Sequence, residues 1–173
     1  MKSYIMAMLL IVLFQFSSCT TMMIVGSKQN TYGSTVELIE SGASTRIEYK
    51  SHKQLLIELN SKAKNEMWSN EKLLNEESNI PPGGYILVHI SGPTIGSANT
   101  KYWKYVVQDI EGNEIFRESG DNDIPEYTSS QYGTTWWNID IIYLPNQMTN
   151  QFKVYVIDSL SEKRSGFIIY PDQ

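Results

Sequence analysis

The sequence predicts a mainly β protein, an antiparallel β-sandwich with one helical insertion around residues 52–75. Three observations predict it. Short segments in which apolar and polar residues alternate recur from Thr35 to Tyr170, bounded by Gly, Pro, Asn and Ser. Only the stretch from His52 to about Asn75 repeats its apolar residues at helical spacing. No internal repeat or low-complexity tract breaks the pattern, so seven or eight short strands must bury their apolar faces on one another. A partly open barrel would satisfy the same pattern.

The first element stands outside the sandwich. Met1-Lys2-Ser3 carries one positive charge, and thirteen residues from Tyr4 to Phe16 follow that are apolar except for Gln15. A charged start, an apolar run of this length and small residues beyond it describe a secretory signal. The run is too short to cross a bilayer core of ~30 Å at 1.5 Å per residue. It ends in Phe16-Ser17-Ser18-Cys19, and Cys19 is the only cysteine of the 173 residues. These nineteen residues resemble the signal peptide and lipobox of bacterial lipoproteins, with Phe16 standing where Leu is usual. The resemblance implies diacylation of the Cys19 thiol, cleavage before Cys19 and acylation of the freed amine. Residues 1–18 would be the signal, 19–34 a lipid-anchored tether and 35–173 a single sandwich domain. Two or more acyl chains suffice for stable membrane attachment, at ~0.8 kcal/mol for each buried methylene. Thr20 rather than Asp follows the cysteine. The inner-membrane retention signal of enteric lipoproteins is therefore missing, and the resemblance implies the outer membrane of the cell envelope.

Within the tether, Met22–Val25 could form a first edge strand. Thr35–Glu40 and Thr45–Lys50 alternate around Ser41-Gly42-Ala43-Ser44, which reads as a half-buried hairpin. Ser51 is a good N-cap for the helix, whose stripe of Leu55, Leu56, Leu59, Ala63 and Met67 is expected to face the core, the helix crossing between sheets. Leu73 and Leu74 suit a second short turn. Pro81-Pro82-Gly83-Gly84 ends it. Tyr85–Ser91 is apolar on both faces and reads as a central strand, which makes His89 a core or inter-sheet residue. Lys101–Asp109 alternates, and Glu111-Gly112-Asn113 turns it into Glu114–Glu118. Thr134–Leu144 puts Trp137, Ile139, Ile141 and Tyr143 on one face and Trp136 on the other, beside Asn138 and Asp140. Phe152–Asp158 and Gly166–Tyr170 close the chain. Residues 92–100 and 119–134 read as long loops, the kind that carry function or lack order.

Composition narrows the function. Loss of Lys2 with the signal would take the formal charge from −5 to −6, the opposite of the basic footprint that nucleic acid requires. With Cys19 acylated no thiol remains for a disulfide, so stability has to come from packing. Two histidines, His52 at the helix start and His89 in an apolar strand, leave no nucleophile with a base in reach, and no G-x-S-x-G, H-E-x-x-H or phosphate loop occurs. The chain is expected not to be an enzyme and to need no cofactor beyond the covalent lipid.

Two features could bind. Asp121, Asp123 and Glu126, with Asp158 at a strand end, are hard oxygen ligands of the type calcium takes. They faintly resemble the rim loops of C2 sandwiches, and the sandwich as a whole is of an Ig-like or C2-like kind. A solvated loop in an acidic protein explains the same residues, and that is the expectation. The second feature is aromatic. Eleven Tyr, four Trp and five Phe are more than a small core needs. If Trp136 is exposed beside Asn138 and Asp140, with Tyr102 nearby, these residues make a platform for a protein partner or a sugar ring. The expected function is that of a non-catalytic envelope lipoprotein serving as a structural or protein-binding accessory module. Glycan binding and a calcium-binding C2-like domain are the alternatives.

Overall fold

A computed structural model describes residues 34–171 and the backbone of Lys28–Gln29. Cys19, the expected signal over residues 1–18, and the strand proposed at Met22–Val25 lie outside the described residues. The strands are β1 (Lys28–Gln29), β2 (Thr35–Glu40), β3 (Thr45–Lys50), β4 (Tyr85–Gly92), β5 (Trp103–Asp109), β6 (Glu114–Ser119), β7 (Glu126–Ser130), β8 (Gly133–Tyr143), β9 (Phe152–Asp158) and β10 (Lys163–Tyr170). They form two antiparallel sheets in the orders β1-β2-β10-β9-β5-β6 and β3-β4-β8-β7. The sheets pack face to face, as a sandwich rather than a closed barrel.

The core lies between the sheets and follows the alternation of the strands. Ile47, Tyr49, Ile86, Val88 and Ile90 point inward from one sheet, and Tyr105, Val107, Phe152, Val154 and Val156 from the other. The Tyr49 ring meets Phe152 edge-on at 5.4 Å and 83°, and its hydroxyl donates to the Gly83 carbonyl at 3.0 Å. A single ring thus joins both layers and the loop beneath them.

Four local expectations are corrected. Segments β2 and β3 are not a hairpin: β2 pairs with β1 and β10, β3 pairs with β4, and the four residues between them carry the chain from one sheet to the other. The helical stretch is two helices, α1 (His52–Asn65) and α2 (Asn70–Ser78), broken where Met67 adopts a φ of 51°. Ser51 does cap α1, in a capping box with Gln54. The pair does not cross between sheets, because β3 and β4 are neighbours; it lies on the outer side, where outward-facing Lys50 meets Glu58 at 2.8 Å. Leu55 and Ala63 are buried there, Met67 is 90 % exposed, and no helix residue of α1 or α2 enters the inter-sheet core.

The stretch 119–134 is not one loop, since its second half is β7 and the turn into β8. Residues 92–100 include a single helical turn, α3 (Ile95–Ala98), with a Thr94/Ser97 capping box. The fourth correction concerns His89. It faces outward, because its β4 neighbours Val88 and Ile90 are the inward ones.

Candidate functional site

Strand β8 positions Trp136, Asn138 and Asp140, three of the four residues of the expected aromatic platform, and its faces are the reverse of a simple apolar-in reading. Ile142 is fully buried, so Trp136, Asn138 and Asp140 also lie on the inner face, while Trp137, Ile139, Ile141 and Tyr143 point outward. Trp136 is half-buried against the core and lies 5.2 Å from the Tyr127 ring, opposite it on β7. It is therefore not an exposed platform. Tyr102 is also half-buried against the core, with Lys101 over its ring at 4.7 Å.

The inner polar residues gather where the chain passes from β6 to β7 across the side of the sandwich. Buried Thr100 pins that segment: its hydroxyl donates to the Asp121 carbonyl and accepts from the Asp123 amide at 3.2 Å. Asn138 Nδ2 donates to the Asp123 carbonyl at 3.3 Å. Beneath it, Tyr105 of the other sheet donates its hydroxyl to Asp140 Oδ2 at 2.7 Å. Burial, then the neighbouring Asp123 and Asp121, push Asp140 above the ordinary carboxylate range against the pull of the Tyr105 bond. Burial and then Asp140 and Asp121 raise Glu118 likewise, and burial and Asp140 push the Tyr105 hydroxyl far up.

These carboxyls are protonated more readily in the folded chain than in the unfolded one. Their contribution is therefore fully present below their ordinary pKa and is lost as pH rises through the raised value. Asp140→Asn, which keeps a partner for the Tyr105 hydroxyl, is expected to melt higher than the parent at pH 7. That advantage should shrink to nothing as pH falls to about 4, near the ordinary carboxyl value; an unchanged advantage across the range would remove charge as its cause.

The other calcium candidates do not join this group. Glu126 lies on the outer side opposite Trp137. Asp158 sits at the end of β9 and uses both carboxylate oxygens on the next turn, accepting from Leu160 N, Ser161 N and the Ser161 hydroxyl. Among the described residues, no three His, Cys, Asp or Glu side chains are arranged to hold a metal ion. His52 begins α1 with Nδ1 3.1 Å from the Pro81 carbonyl, and no described side chain forms a nucleophile–base pair with either histidine.

The outer face of the four-stranded sheet was the part that sequence reasoning missed. Tyr85–Tyr143, Leu87–Ile141 and His89–Ile139 face one another across β4 and β8, and Trp137 continues the row beside Ser91. Ile139 is 39 %, Ile141 40 % and Tyr143 57 % exposed, and Tyr143 meets the Tyr85 ring edge-on at 6.4 Å. Arg46, Glu48 and Lys50 of β3 form a charged border. Glu48 lies 3.2 Å from Arg46 and 3.4 Å from His89, whose pKa is lowered by burial and by Arg46 against the opposing Glu48. A hollow of 360 Å³ beside Trp137, His89 and Arg46 opens at one end of the row. At the other end a groove of 320 Å³ runs between Tyr85, Tyr143 and the helix residues Leu55 and Leu59.

The period-two signal for this row was present in Trp137, Ile139, Ile141 and Tyr143. What the sequence lacked was the sign of the face. Asn138 and Asp140 look like solvent residues until Tyr105, Thr100 and the 120–125 segment supply their inner partners. Compared with known proteins, the chain matches no family model, no curated protein and no solved structure, so its function has to be argued from this geometry.

Proposed function

We propose that this chain is a lipid-anchored docking module of the bacterial envelope, acting without catalysis and binding a protein partner through the outer face of the β3-β4-β8-β7 sheet. The observation that carries the reading is the open apolar row Leu87, Ile139, Ile141 and Tyr143, edged by Arg46, Glu48 and Lys50. A contiguous apolar strip with a charged border, displayed by a rigid sheet, is the anatomy of a protein-binding surface. The lipobox-like Phe16–Cys19 supplies the anchor in this reading, and the outer membrane is its proposed location.

The test uses full-length, C-terminally tagged protein from gently solubilised envelopes. A stoichiometric partner should copurify with the parent and with Trp136→Phe, and be lost from Ile139→Asp/Ile141→Asp while that variant keeps its β circular dichroism. Palmitate label should disappear in Cys19→Ala. Retention of the partner by the double-Asp variant, or no partner at all, defeats the docking reading, and undiminished label defeats the anchor. A second reading has one specific support. The hollow beside Trp137 sets an aromatic wall near Arg46, His89, Ser91 and Asn138, a pattern suited to a sugar ring. Glycan binding that is abolished by Trp137→Ala, with no protein partner found, would favour it.

A further inference from the structure

One side of β8 is an unpaired sheet edge. Strand β7 covers β8 only from Gly133 to Trp137, whereas β4 runs beside it from Trp136 to Tyr143. Residues 138–143 therefore have a strand on one side alone. The amide of Leu144 donates to the Gly84 carbonyl, next to β4. Antiparallel alternation then turns the even-numbered residues toward β4, and the N–H and C=O groups of Ile139, Ile141 and Tyr143 toward the open side. Two of those amides are satisfied by a local substitute: Ile139 N donates to Asn138 Oδ1 and Ile141 N to Asp140 Oδ1, both at 2.9 Å. An edge so provisioned is protected from indiscriminate pairing, yet it gives up only an exchangeable side-chain bond when a strand arrives.

We infer that residues 138–143 of β8 accept an added strand from the docking partner, and that this strand carries Lys or Arg on its inward-facing residues and apolar side chains on the outward-facing ones. The inference rests on the docking reading, since it names how the partner of that sheet is held.

The charge at the edge chooses the occupant. Asp140 points inward from it, Asp123 and Asp121 lie on the segment that Asn138 and Thr100 hold in place, and Gly120 of that segment lies against Asp140. Glu118 is the second-last residue of β6, just before it. Among the described residues none of these four carboxylates has a Lys or Arg partner. A second copy docking edge to edge would bring two such sets together, which like-charge repulsion opposes. A basic strand does the reverse. When its carbonyl takes the Ile141 N–H, Asp140 Oδ1 is released to receive a cation, while Oδ2 keeps the Tyr105 bond. Apolar residues on the other face of the strand would extend the row of Ile139, Ile141 and Tyr143.

The experiment follows amide hydrogen exchange in the full-length protein in detergent, with an acetylated, amidated peptide of alternating Lys and Val as probe and its Glu/Val counterpart as control. The Lys/Val peptide is expected to slow exchange at Ile139, Ile141 and Tyr143 by at least about tenfold, with the Glu/Val peptide inert. Asp140→Asn, which leaves the fold in place, should weaken the peptide about tenfold through loss of one charge-assisted contact. Equal protection by both peptides, protection elsewhere, or slowing that grows with protein concentration and needs no peptide would overturn the inference, the last by assigning the edge to a second copy. Its failure is separable from that of the docking reading. If Ile139→Asp/Ile141→Asp loses the envelope partner while the peptide protects nothing, the face docks a partner and the edge stays empty. If the peptide behaves as expected while the envelope partner ignores the double-Asp change, the docking surface was misplaced and the edge assignment stands alone.

Discussion

Replacing Ile142 with Ala is expected to cost about 2–5 kcal/mol of unfolding free energy, whereas the same change one residue earlier, at Ile141, should cost less than about 1 kcal/mol. The two residues have the same side chain, the same strand and adjacent positions. They differ in face. Ile142 is 0 % exposed between the sheets, opposite Ile86, and its truncation leaves a cavity that the packed layers cannot close. Ile141 is 40 % exposed opposite Leu87 on the outer side, so its removal forfeits a strand preference and part of one cross-strand contact. Urea unfolding of the full-length chain in detergent, followed by circular dichroism, reads both. Comparable losses at the two sites would mean that something covers the outer face, and the docking surface would then be part of a core. The comparison therefore tests the fold and the site together.

Strand positions were legible because period two survives in almost every segment from Thr35 to Tyr170. A period says which residues share a face, and it does not say which face is inside. For β4 both faces read as apolar, and the structure buries Ile86, Val88 and Ile90 while turning Tyr85, Leu87 and His89 outward. For β8 the rule of burying the more apolar set points the wrong way over most of the strand. Trp137, Ile139, Ile141 and Tyr143 are outside, and Asn138 and Asp140 are inside. Only tertiary partners resolve it: the Tyr105 hydroxyl meets Asp140, and the backbone at Asp123 meets Asn138. Polar groups can be turned inward when bonds await them, and those partners lie far away in the sequence.

The candidate site was partly legible for the same reason. Trp136, Asn138, Asp140, Asp121 and Asp123 were singled out separately, for aromatic and acidic character, and the fold brings them to one side of the sandwich. Asp158 was grouped with them because it ends a strand, yet it serves its own turn. The open edge of β8 had no sequence signal at all. It follows from β7 being five residues long beside an eleven-residue β8, a mismatch visible only once strands are paired.

Replacement of Ser165 by Val should cost about 1–3 kcal/mol in all, because the amides of Gly42 and Ala43 lose their side-chain acceptor. Ser165 is 1 % exposed on β10, and its hydroxyl serves the turn between β2 and β3 in three ways. It donates to the Ala43 carbonyl at 2.9 Å and accepts from the amides of Ala43 at 3.1 Å and Gly42 at 3.4 Å. Those bonds hold the chain at the point where it leaves one sheet for the other, which is why Ser41–Ser44 acts as a crossing rather than a hairpin turn. A Cβ at residue 42 would run into the Arg164 carbonyl, so the crossing is pressed against β10 as closely as glycine allows. Valine and threonine match in size and both favour strands, so the difference between those two variants reports the hydroxyl. Ser165→Thr is the control and should recover most of the stability, because a hydroxyl returns to the same place. If Val and Thr are equally tolerated in urea, the serine is not the clamp, and what fixes the crossing is the close approach at Gly42.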